Sequence, residues 1–221
     1  MKNHALIFDC DGTLMDSLDA AVESYHYALQ QMGEKPRTIA EIKSHFGLAA
    51  DRVLLHLLGD GARAREAYIY YKEYQKKVAP RTQVYPGIRE LLDQAHAADV
   101  PMAIVTGRHR DDLNILLEPH GLLDDFQAIV TDDELGSPKP DPEGLLRAAF
   151  QLGIPPSHVC YVGDSPSDIR AARAAGAMAV AALWNVDVDR SIMKDTEPDV
   201  LAEHPDEVWR AFRRFTRRGE A

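Results

Sequence analysis

The apolar run Ala5–Phe8 stops at Asp9, and Asp11 follows just before Gly12 in the stretch FDCDGTL. Two carboxylates this close at a strand end repel, and without a partner one of them is pushed towards protonation. A hard divalent cation such as Mg2+ removes the conflict, because it takes oxygen ligands. Asp9 could then attack phosphorus as a nucleophile, with Asp11 near enough to protonate the leaving oxygen. Gly12 permits the tight turn that a Cβ would resist. An acidic loop is the plainer reading, and it leaves the repulsion unanswered.

Three further clusters follow apolar runs. Thr106-Gly107-Arg108 comes after residues 101–105. A hydroxyl and free N–H groups at a helix start can hold a phosphate oxygen, or simply cap the helix. Lys139 lies in SPKPDP, where prolines fix φ and hold the segment extended. A lysine presented so rigidly could offset the charge of a nucleophile and a phosphoryl group. In GDSPSD, residues 163–168, Ser165, Pro166 and Asp168 resemble a capping box at a helix start. That leaves Asp164 ending an apolar run, where a carboxylate needs a partner. A metal ion shared with Asp9 would supply one. Each cluster alone has an ordinary structural reading. Acid, hydroxyl, lysine and acid along one sheet edge would be four coincidences.

The elements that must position these residues alternate. Short apolar runs recur at Ala5–Phe8, 101–105, Ala128–Val130, 159–162 and 177–183, with helical-period segments at 87–98, 111–120, 142–152 and 168–175. This predicts an α/β fold, a Rossmann-like parallel sheet with helices on both faces, and ligands bound beyond the carboxyl ends of its strands. Residues 17–79 break the alternation with helix-like pieces only, at 18–32, 38–46, 51–58 and 62–78. The expected organisation is a core domain of residues 1–16 and 80–221 with a helical subdomain, 17–79, inserted after the first strand. Near the end, Trp209, Phe212 and Phe215 recur at helical spacing, as in a final helix packing its aromatics onto the core.

Composition narrows the function classes. A formal net charge of -10 over 221 residues argues against nucleic acid or an anionic membrane as partner, but leaves room for a small phosphorylated metabolite. No stretch is apolar enough to span a bilayer, and Cys10 and Cys160 lack metal-ligand spacing, so a reduced cytoplasmic setting is expected. Cys10 reads as a small buried side chain, and Asp132-Asp133-Glu134 as a solvated loop without metal.

On DCDGTL, Val105-Thr106, Lys139 and GDSPSD, the sequence resembles the haloacid dehalogenase superfamily, phosphatase branch, over nearly its whole length. The resemblance implies Asp9 as nucleophile forming an aspartyl-phosphate. It implies Asp11 as general acid and then base, with its main-chain carbonyl on Mg2+. Thr106 and the Gly107 N–H would bind phosphoryl oxygen, Lys139 would orient Asp9, and Asp164 would ligate Mg2+. Asp168 would orient the metal's waters or Lys139. The inserted helices would form a mobile cap. Asp11 speaks against a dehalogenase, and Ala21 stands where β-phosphoglucomutases usually carry histidine. Residues 46–54, 182–185 and 203–207 look more like phosphoglycolate phosphatases, and pyrophosphatase-like relatives share much of the pattern. Arg52, or else His45 or Lys43, could meet the substrate's distal group from the cap, against the alternative of a solvated helix face; Arg108 is a comparable candidate. Monomer and homodimer both remain open.

Overall fold

The computed structural model describes residues 3–218. In chain order the elements begin with β1 (Ala5–Phe8), β2 (Met15–Asp16) and four helices, α1 (Leu18–Gln31), α2 (Ile39–Lys43), α3 (Ala50–Leu58) and α4 (Gly61–Val78). Next come β3 (Gln83–Val84), α5 (Ile88–Ala97), β4 (Met102–Val105), α6 (Arg110–Leu117), β5 (Ala128–Val130) and α7 (Glu143–Leu152). The chain continues through β6 (Val159–Gly163), α8 (Pro166–Ala175), β7 (Met178–Ala182), α9 (Arg190–Asp195), β8 (Val200–Ala202) and α10 (Pro205–Arg218).

Six strands form one parallel sheet in the order β5-β4-β1-β6-β7-β8. β1 is central, and the chain winds outwards from it in both directions, to β4 on one side and β6 on the other. Its carboxyl end is therefore the topological switch point, where such sheets open a crevice. Period two divides β1 between two cores: Leu6 and Phe8 join α5, α6 and α10 on one face, while Ala5 and Ile7 join α7 and α8 on the other. All four side chains are fully buried, so the strand is apolar without alternation. Phe212 is fully buried in the first core, with Trp209 and Phe215 packed against it, as the aromatic spacing predicts.

Helices α1–α4 bury a third cluster of their own, including Tyr25, Leu29, Ile42, Leu54 and Tyr71. A two-stranded antiparallel ribbon, β2 with β3, brackets the stretch where these helices leave and rejoin the sheet. The sequence reading misses this ribbon, since two residues are too few to show a period. It also misses α9 and the edge strand β8. Thr106 does not cap α6: the N-cap is His109, and the Thr106 hydroxyl accepts from the Arg108 N–H at 3.2 Å.

Candidate active site

β1 ends on Asp9, and the chain turns at once: three N–H groups, those of Thr13, Leu14 and Met15, converge on the Cys10 carbonyl. Gly12 takes φ +73°, and a Cβ there would lie 2.0 Å from Asp164 Oδ2. Glycine is required both by the left-handed conformation and by the close approach of β1's loop to β6's loop. Cys10 is buried in the first core, and burial together with Asp11 raises its thiol pKa, which suppresses a thiolate.

Lys139 reaches the centre of the site from the proline loop. Its Nζ donates to Asp9 Oδ1 at 2.8 Å and to Asp168 Oδ1 at 2.6 Å. Although burial works against it, this pair of carboxylates raises the lysine pKa, so its charge is secure. Asp168 is fully buried at the start of α8, where the capping box with Ser165 forms as the sequence predicts. One of its oxygens serves Lys139 and the Tyr161 hydroxyl, and the other serves Ser165. Asp168 therefore stands behind the lysine and fixes its position. Among the described residues no group donates to Asp9 Oδ2.

Burial, only partly offset by Lys139 and aggravated by Asp168, pushes the Asp9 carboxyl up to about 7. The Asp164 carboxyl is likewise pushed well up, by burial and by Asp9, and its partners are neutral: Asn185 Nδ2 at 2.8 Å and Thr13 Oγ1 at 3.4 Å. Carboxylate oxygens of Asp9, Asp164 and Asp168 lie within 4.8 Å of one another. Two facing carboxylates with too little positive charge between them form the donor set of a hard divalent cation, so the residues present fit Mg2+.

Asp11 is held differently. Arg108 Nε and Nη2 grip its carboxylate in two parallel bonds of 2.7 and 2.6 Å, and the Ser17 hydroxyl donates to it as well. Burial alone would raise its pKa; the guanidinium outweighs burial and lowers it.

Asp9, Asp11, Thr106, Gly107, Arg108, Lys139 and Asp164 all line one cavity of about 160 Å³, closed over by residues of α1, α3, α4 and the α2–α3 loop. Gly107 lies directly under that loop: a Cβ would stand 2.8 Å from the Gly47 carbonyl oxygen. Arg52 is not brought to the cavity. It pairs with Asp132 at 3.3 Å, and Asp132 is buried, which corrects the solvated-loop reading at that residue. Lys43 likewise turns away, to Asp187 at 2.6 Å. The sequence reading misses Tyr161, Asn185, Ser17 and Asp112. Asn185 follows the last long apolar run at the same sheet edge, so the strand-end rule could have found it; Tyr161 lies mid-strand and carries no such signal.

An acid, a lysine and a hydroxyl thus meet at one edge of a parallel α/β sheet. A phosphoglycolate phosphatase of Chromobacterium violaceum is 34% identical over 185 residues, which cover 80% of this chain and 83% of that protein. One from Xanthomonas campestris is 31% identical, covering 93% and 94% of the two chains. Among solved structures, a protein from Haemophilus somnus described as a predicted phosphoglycolate phosphatase superposes with a TM-score of 0.85 over 96% of this chain and 98% of its own. Its identity of 20% speaks for the fold alone. The chain belongs to the haloacid dehalogenase-like hydrolases, whose family model matches residues 6–182, and it is a phosphatase of that family.

Proposed function

We propose that the protein is a Mg2+-dependent phosphomonoester hydrolase of a small metabolite, acting through an aspartyl-phosphate on Asp9, with phosphoglycolate as the leading substrate. The observation that carries this reading is the state of Asp9: Lys139 holds Oδ1, while among the described residues nothing donates to Oδ2, beside a cavity of metabolite size. In this reading Oδ2 attacks phosphorus. Lys139 stabilises the phosphoryl charge, and Asp168 and Tyr161 keep the ammonium aimed. Thr106 and the Gly107 N–H receive a phosphoryl oxygen. Asp11 protonates the leaving oxygen and later takes a proton from water. Mg2+, held by Asp9, Asp164 and the Asp11 carbonyl, would neutralise charge on the transferring group. Helices α1–α4 serve as a cap that excludes water. The mutase alternative gains nothing from the structure, because Ala21 lines the cavity and offers no proton donor.

A cytoplasmic setting and action on a free metabolite are part of the same proposal. Among the described residues no helix is long and apolar enough to cross a membrane. Asp9→Asn should remove essentially all turnover of a generic aryl phosphate, and EDTA should do the same reversibly. Turnover that survives either treatment would refute the mechanism.

A further inference from the structure

The part of the cavity wall contributed by the helices consists largely of Leu18, Ala21, Tyr25, Phe46, Leu48 and Tyr71, none of them charged at neutral pH. Lys139 is committed to Asp9 and Asp168. Among the described lining residues this leaves Arg108 as the cation available to a second negative charge on a ligand. Its side chain is 9% exposed, and its third nitrogen, Nη1, is buried without a hydrogen-bond partner. A buried guanidinium N–H lacking an acceptor is costly, and it marks a place where an acceptor belongs. The acceptor Arg108 now grips is a carboxylate, Asp11, in the two-pronged geometry that guanidinium and carboxylate share. A carboxylate on the substrate would offer the same geometry.

We propose that Arg108 recognises a carboxylate carried by the substrate beside its phosphate ester, exchanging Asp11 for it, so that the substrates are small phosphorylated hydroxy acids. This rests on the phosphomonoesterase reading above and assigns the specificity of that site to one residue. The exchange also frees Asp11 from the fork in which it is held, so that it can reach the leaving oxygen. Phosphate esters without a carboxylate would leave Asp11 in place. A second acid lines the cavity, Asp112, whose Oδ2 accepts from the Tyr68 hydroxyl at 2.7 Å and whose Oδ1 has no partner. Burial raises its pKa, so an incoming carboxylate meets a group that protonates more readily than a surface aspartate.

The test compares 2-phosphoglycolate with its neutral amide, which has the same shape, alongside an aryl phosphate. The wild-type protein should prefer the acid over the amide in kcat/KM by roughly tenfold to a hundredfold. Arg108→Met should bring that ratio to about one, and Arg108→Lys, with the charge but not the fork, should fall between. Equal rates on acid and amide in the wild type, or an unchanged ratio in Arg108→Met, would overturn the assignment. Should Arg108→Met prove unfolded, inhibition of the wild-type protein decides: glycolate must compete with the aryl phosphate better than glycolamide, and equal inhibition refutes the proposal. Phosphate release from none of the three esters would sink the phosphatase mechanism and this inference together. Turnover of the aryl phosphate without preference for the acid sinks the inference alone.

Discussion

Lys139 is the residue on which the site's charge balance turns. It sits between Asp9 and Asp168, both nearly or fully buried, and it is the ion that lets two carboxylates share the carboxyl edge of β1 and β6. Removing one member of a buried ionic cluster costs far more than the cluster contributes, because the remaining charges stay behind without compensation. Lys139→Met should therefore lower stability by about 3–5 kcal/mol, read as a shift in the urea midpoint, and abolish turnover. Adding Asp168→Asn to that variant should recover part of the stability and none of the activity. A single mutant as stable as the wild type would show that Asp9 and Asp168 do not depend on the lysine.

The elements explain how far the sequence could be read. Asp9 and Thr106 are each one residue beyond a short apolar run and Asp164 is two beyond, and such runs are legible because a parallel strand buried on both faces admits few polar side chains. Lys139 was legible from the prolines around it, and the capping box of α8 from the spacing of Ser165 and Asp168. What escaped depends on contacts between segments far apart in sequence. Asn185 lies 21 residues from its partner Asp164, and the Arg108–Asp11 fork joins residues 97 apart. No local pattern announces either, nor the diversion of Arg52 to a buried Asp132. The meeting of Gly47 with Gly107 is of this kind too, and it gives a prediction at this scale. Gly107→Ala would place a methyl group 2.8 Å from the Gly47 carbonyl oxygen and force the α2–α3 loop away from the sheet edge at Thr106. Because misplacing catalytic groups by about 1 Å is enough, kcat/KM should fall on the order of 10²-fold. The urea midpoint should barely move, since the sheet cores are untouched. Wild-type kcat/KM in this variant would mean that the loop need not close on the sheet.

At the scale of the molecule, the sheet brings acidic residues together at its switch point, and residues of α1–α4 line the cavity above them. In the metal-free protein this has a definite pH signature. Asp9 titrates near 7 when folded, against an ordinary value of 3.8. A carboxyl raised in this way favours the folded state when protonated, so its contribution is fully present below about pH 4 and is lost as pH rises through about 7. Mg2+ must displace those protons to bind. The rise in melting temperature on adding Mg2+ should therefore be larger at about pH 8 than at about pH 5.5. Equal shifts at both pH values would exclude Asp9 and Asp164 as its ligands. In the proposed mechanism the phosphoryl group passes through a covalent bond to Asp9. Borohydride reduces an acyl phosphate to the alcohol, so protein quenched with it during turnover should yield a peptide in which Asp9 has become homoserine, and Asp11 has not. Steady turnover with Asp9 unmodified under the same quench, or with the change found at Asp11 or Asp164, would contradict the account.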